Sequence, residues 1–389
     1  LGIAYIGGVE YETNSERMGM TMAETEAETA PLLKEIFNRD RLNHFARETA
    51  AIYPAFDGER FLQLASEGLD NLSIMQRLRQ IAVSFHETLP GPYEKNIEIL
   101  WTLAPRINHG FASITLPEYV ALYGQDHFDL SMKALAYLTR FGSSEFAVRH
   151  FLLKDMPRTL AVMRDWSQDE NEHVRRLSSE GCRPRLPWSF QLKQLIADPA
   201  PVASIIENLK SDPSLYVRKS VANHLNDITK DHPEWVLEKL SHWDQGDIRT
   251  AWIMKQALRT LVKKGDTRAL HVFGAGHKAE VKLETFSITP SSLKLGGAVE
   301  ITTKLTSTGI APQKLVIDYA VHYVKKTGGT SKKVFKWKEL TLAPNADAEL
   351  TITRPIRNFT TRIHYPGRHA VELIVNGEVL GESAFELTT

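Results

Sequence analysis

Up to about residue 273 this chain should form an all-α solenoid, and from about residue 277 a small all-β sandwich. Three features say so. Apolar residues in the first part recur at three- and four-residue steps. A short Val-Arg motif recurs along that part. After Gly274-Ala-Gly276 the period drops to two.

Residues 1–30 carry six acids and one arginine, with no basic flank and no continuous apolar core. They are expected to be a flexible leader, apart from the fold. The helical part, 31–273, shows its period clearly in DNLSIMQRLRQIAVSF (70–85), where Leu72, Met75, Leu78, Ile81 and Phe85 line one face. Pro, Gly and Asp clusters (LPGPY, LPEY, RFGSS, ADPAP, SDPS, DHPE) punctuate the helices. SSEFAVRHFLLKDMP, NEHVRRLSSEGCRP and SDPSLYVRKSVANHLNDI then echo one another. Val148-Arg149, Val174-Arg175 and Val217-Arg218 recur at intervals of 26 and 43, and DIRTAWIMKQALRTLVKKG is a looser copy. Degenerate units near 40 residues imply stacked helix pairs, a HEAT-like α-solenoid with one concave surface. In 277–389, seven alternating segments from VKLETFSI to EVLGESAFEL are separated by Gly-Gly, Pro-Gly and Asn-Gly turns. They predict an immunoglobulin-like β-sandwich without a disulfide.

Bulk properties exclude several classes. Lys plus Arg and Asp plus Glu both total 47, so net charge selects no partner. One cysteine rules out an internal disulfide and a Cys-based zinc site. No apolar run reaches membrane-spanning length, so no membrane is expected. The histidines lack metal-ligand spacing, Cys182 lacks a base partner, and no phosphate-cradling glycine loop appears, so neither metal nor cofactor is expected.

Three stretches could carry chemistry. On SLYVRKSVANHLNDI, Val217, Val221, Leu225 and Ile228 form an apolar stripe, and Ser220, Asn223, His224 and Asp227 an adjacent polar face. Asp227 is either a solvated helix carboxylate or a placed one. In SSEFAVRHF, Ser143 or Ser144 should cap a helix with Glu145 in its first turn, where the dipole favours a carboxylate and Arg149 at i+4 can pair with it. In GCRPRLPW, Pro184 and Pro187 stop the helix, and Arg183 and Arg185 have no obvious acidic partners at i+4. Trp188 is either a core residue or an exposed stacking surface. Phosphate contact is expected from Arg149, Arg175, Arg176, Arg183, Arg185, Arg218 and Lys219. Lys332 and Lys333, in a lysine-rich hairpin around Gly328-Gly329, are expected to add to it.

Together, NEHVRRLSSEGCRPRLPW and SDPSLYVRKSVANHLNDITKDHPEWV resemble the AlkC family of DNA alkylation repair glycosylases, over about residues 31–272. LPEYVALYGQDHFDLSMKALAYLTRFGSSEFAVRHF reads the same way, and the C-terminal sandwich resembles the domain that some members carry. The resemblance implies hydrolysis of the N-glycosidic bond of cationic alkylated bases, 3-methyladenine and 3-methylcytosine, in double-stranded DNA. It implies no deep base flipping, and action as a monomer at the nucleoid of a bacterial cytoplasm. Carried over by motif, Glu145, Asp227 and Trp188 are the expected catalytic residues. The related AlkD motif has a tryptophan where this chain has Asn223, so the aromatic cradle should differ. A cationic base leaves as a neutral molecule and needs no general acid. Carboxylates that stabilise the sugar cation and place a water would suffice. The alternative is a non-catalytic HEAT-repeat lesion sensor or scaffold.

Overall fold

The computed structural model describes residues 33–272, 275, 278–359 and 363–388. The expected leader, 1–30, lies outside them. The chain divides into two compact units. One takes the chain up to Asp231 with Gln245–Ile253; the other takes His232–Asp244 with Met254–Thr389. Helices Pro233–Ser241, Arg259–Lys263 and Thr267–Val272, within the expected helical half, thus group with the strands. Among the described residues no helix is long and apolar enough to cross a membrane.

The first unit is helical. Ile74–Thr88 starts at a capping box, with Ser73 as N-cap and Gln76 reaching back to it. Its Leu78, Ile81 and Phe85 are buried, as their spacing predicts. The Val-Arg echo falls on three helix starts: Val148–Lys154, Glu172–Glu180 and Leu215–Ile228. The valines 148, 174 and 217 have no exposed surface.

Two of the echoed arginines do one job. Arg175 Nη1 donates to the carbonyls of Asp169 and Glu170, both at 2.9 Å. Arg218 Nη1 donates to those of Asp212 and Pro213, both at 2.8 Å. Each ties its helix to the turn that precedes it. An aspartate recurs in those turns. Asp169, Asp212 and Asp247 accept from the backbone N–H two residues on, at 2.8, 2.8 and 2.7 Å. Arg175 also forks onto Asp212 of the next repeat, at 2.7 and 3.1 Å. The repeat is therefore a ladder of turn-binding charges.

In the second unit two layers enclose the core. One is ordered β1-β3-β6, from strands β1 (Val281–Thr289), β3 (Ala298–Ser307) and β6 (Asp347–Pro355). The other is ordered β2-β8-β7-β4-β5, from β2 (Ser292–Lys294), β4 (Gln313–Val324), β5 (Thr330–Leu342), β7 (Gly367–Val375) and β8 (Glu378–Thr388). Ile288, Ile301, Tyr319, Val371 and Phe385 bring both layers into one cluster. The seven expected strands are present. Three-residue β2, too short for an alternating signature, is added parallel to β8; the other strand pairs are antiparallel. Gly265 and Gly377 meet backbone to backbone, both at positive φ, where a side chain on either would clash.

Candidate active site

Glu145 and Asp227 are the first and last carboxylates of one row of alternating charges. Arg176 binds Glu145 and lies 3.4 Å from Glu180. Glu180 accepts from Arg183 at 2.6 Å. Arg183 reaches Asp227 through Nε at 2.9 Å and Nη2 at 2.8 Å. Lys230 closes the row on the other oxygen of Asp227 at 3.0 Å. Glu145, Arg176, Glu180, Arg183 and Asp227 are each under a tenth exposed. Charges this enclosed persist only when paired, and here each has an opposite neighbour.

Local geometry explains each placement. Helix Val148–Lys154 begins three residues after Glu145, so Glu145 sits in the preceding turn. There Ser143 receives its N–H at 3.3 Å and donates to its carboxylate at 2.7 Å. Arg176 and Glu180 share one face of helix Glu172–Glu180, and Arg183 follows its end. That helix packs against Leu215–Ile228, which carries Asp227. Glu180, the centre of the row, was not among the expected site residues. Its signal was present: Arg176 four residues before and Arg183 three after. Burial alone would raise the Glu180 carboxyl, but Arg176 and Arg183 overcome it and hold it at about 2. Burial would likewise lower Arg176, yet Glu145 and Glu180 drive it above the usual arginine value.

The expected polar face of Leu215–Ile228 divides. Asn223 is half-buried and Asp227 joins the row, but His224 has no exposed surface. Its Nδ1 lies 3.5 Å from Ser179 Oγ, and its Nε2 finds no partner among the described residues. Burial first, then Arg183, hold its pKa down to about 3, with Arg149 adding to the effect and Glu180 opposing it.

A pH dependence of stability follows. The unfolded chain protonates His224 below about 6.5, while the folded chain keeps it neutral. Stability is complete above pH 6.5 and should fall by up to about 1.4 kcal/mol per unit toward pH 3. His109, His150 and His173, also lowered mainly by burial, act in the same direction. Glu180 extends the loss as pH falls from its ordinary carboxylate range to about 2. Urea unfolding at pH 7.5 and 5.5 reads this as an earlier midpoint at 5.5, and His224→Gln should shrink the difference. An equal difference in the variant would remove His224 from the account.

The arginines expected at phosphates are mostly occupied inside the protein. Arg149 is the clearest correction. It has no exposed surface and does not bond Glu145, because the helix starts too late to present Glu145 at i−4. It donates instead to the carbonyls of Gly181 at 2.9 Å, Arg183 at 2.7 Å and Phe190 at 2.5 Å. Burial lowers its pKa to about 10, so it stays charged at neutral pH. Arg176 and Arg183 are committed to the carboxylates, Arg175 to Asp212, and Arg218 to its turn. Arg185 forks onto Asp231 at 2.9 to 3.1 Å and keeps about a quarter of its side chain in solvent. Lys219 is half-buried, and Lys332 and Lys333 are exposed on β5, with Lys332 bound to Glu372 at 2.5 Å.

Arg149 thereby ties both ends of the loop Arg183–Phe190 to one guanidinium. Leu192 N–H adds a bond to the Pro184 carbonyl at 3.1 Å. At the loop's tip Trp188 is 50% exposed, its ring 6.3 Å from that of Phe111 in an edge contact. Its φ of 65° lies in the left-handed region, at a cost on the order of 1–3 kcal/mol for a bulky residue. Strain and exposure thus coincide at Trp188.

Residues 75–261 match the family described as DNA alkylation repair enzyme. Residues 282–389 match the C-terminal immunoglobulin-like domain of the uncharacterised protein YhaZ. YhaZ of Bacillus subtilis is 41% identical over 91% of this chain and 99% of its own length. A solved structure described as Pseudomonas fluorescens alkylpurine DNA glycosylase AlkC, bound to DNA containing an abasic site analog, is 56% identical. It covers 92% of this chain and 100% of its own, with a TM-score of 0.90. The chain belongs to the AlkC and YhaZ family of DNA alkylation repair proteins, in which an immunoglobulin-like domain follows a helical-repeat domain.

Proposed function

We propose that this chain is a monofunctional DNA glycosylase that removes cationic alkylated bases, 3-methyladenine and 3-methylcytosine, from duplex DNA. The observation that carries the reading is the row whose outer carboxylates are Glu145 and Asp227, with the strained Trp188 on the loop that Arg149 ties beside it. The C1′–N bond breaks with its electron pair going to the base, which leaves neutral. The sugar is left as an oxocarbenium-like cation. Glu145 and Asp227 stabilise that cation and place a water. The water oxygen bonds C1′, and its proton passes to a carboxylate and on to solvent, leaving an abasic site. Enclosure strengthens both carboxylate fields, because little water screens them. Trp188 adds cation–π attraction on the order of 0.5–2 kcal/mol to the charged lesion or sugar. Its projection into solvent suits a lesion met near the helix rather than swung into a deep hole.

In this reading Arg185 and Lys219 of the helical unit contact DNA phosphates, and so do Lys332 and Lys333 of β5. The protein acts as a monomer at the bacterial nucleoid. Replacing Lys332 and Lys333 by Gln should flatten the slope of log Kd against log salt by about 0.9 for each phosphate the variant no longer neutralises. An unchanged slope removes this hairpin from the DNA interface.

The function is tested by incubating the intact protein with N-methylated duplex DNA and measuring free bases by chromatography. Release of 3-methyladenine above the spontaneous rate is expected. Binding without release would leave a lesion sensor and overturn the reading.

A further inference from the structure

Two residues past Trp188, on the same tied loop, stands a second ring. We infer that Phe190 is a nucleotide-contacting residue, placed to pack against the sugar and base next to the lesion; this rests on the glycosylase reading above. A single exposed phenylalanine is ordinary on a protein surface. This one is built in. Its carbonyl accepts from Arg149 Nη2, and its ring lies over the same guanidinium at 5.4 Å. His150 meets the ring edge-on at 5.3 Å and 81°. About a third of the residue nevertheless remains exposed. Backbone and ring are thus fixed from below by a cation that is itself buried, while the rest of the ring is left for another surface.

Trp188 and Phe190 lean on different elements. Trp188 rests against Phe111, and Phe190 against His150 and Arg149. One loop therefore presents two apolar rings on separate supports. A phenyl ring has no donor or acceptor with which to read a base edge, but every base and deoxyribose offers it an apolar face. Base–aromatic stacking contributes about 1–3 kcal/mol and tolerates any sequence. A ring already ordered loses little entropy on contact. Phe190 should therefore grip the strand beside the damaged position whatever base is there, while Trp188 faces the damage.

The test uses the full chain and a duplex carrying a tetrahydrofuran abasic site, with an undamaged duplex of the same sequence alongside. Phe190→Ala should weaken binding of the abasic duplex by roughly 5- to 150-fold, and the undamaged duplex much less. Phe190→Tyr should restore binding, and both variants should melt with the wild type. Unchanged binding by Phe190→Ala, with base release by the wild type intact, sinks this inference and leaves the glycosylase reading standing. Equal losses on both duplexes place the ring on general backbone contact and also overturn it. A lowered melting temperature with no rescue by Tyr makes the ring structural, and the inference falls in that case too. If the wild type releases no base but Phe190→Ala still loses lesion-specific binding, the ring contact stands and the glycosylase reading falls.

Discussion

Glu145→Gln and Asp227→Asn should each lower the single-turnover rate of base release by about 100- to 1,000-fold, while binding of damaged DNA survives. Both changes keep shape and remove one negative charge. The loss should appear in the chemical step, because the sugar carries its positive charge only in the transition state. The two variants should differ in stability. Glu145 gives up one arginine and a serine partner, whereas Asp227 leaves both Arg183 and Lys230 without their carboxylate. Asp227→Asn should therefore melt lower. The double variant should lose less than the product of the single losses if, as proposed, both groups act on one cation. A variant that keeps wild-type turnover under saturating enzyme would remove its carboxylate from the chemistry.

Arg149→Met should destabilise the helical unit by about 3–5 kcal/mol. Two buried carbonyls and a part-buried one lose their donor at once, the buried ones at a cost of about 1–3 kcal/mol each when left unpaired. In a unit of this size that lowers Tm by roughly 6–20 °C. Arg149→Lys should not rescue, because an ammonium cannot span carbonyls fixed around a planar fork. Tryptophan fluorescence during the melt should report the Arg183–Phe190 loop loosening before the helices. A Tm within about 2 °C of wild type would mean that the loop is held by other bonds.

The sequence carried the architecture because both periods are local. Apolar steps of three and four, and then alternation, need no distant information. The repeat was legible for a further reason. Arg175 and Arg218 bind turns five or six residues behind them, so the motif recurs with the element it holds. The site was legible only in part. Glu145 and Asp227 emerged through motif resemblance. Their partners did not, because Arg176 lies 31 residues from Glu145 and Arg183 lies 44 from Asp227. For Arg149 helical spacing misled, since it assumed a helix through Glu145 that begins at Val148. Arginines without local acids looked available for phosphate. Three-dimensional pairing consumed most of them. Glu180 alone could have been found by spacing.

The row from Glu145 to Lys230 holds three negative and three positive groups in strict alternation. Such an arrangement has no monopole, and the field of an alternating line dies away far faster than that of a lone ion. At a Debye length, about 8 Å in physiological salt, an approaching phosphate meets almost no repulsion from the carboxylates. An atom that touches one of them is nearer to it than to its cationic partner, and meets a net negative field there. A row built this way is nearly silent to a polyanion at a distance and negative only at touch. In the proposed reading, two acids can thereby wait beside a duplex without driving it off.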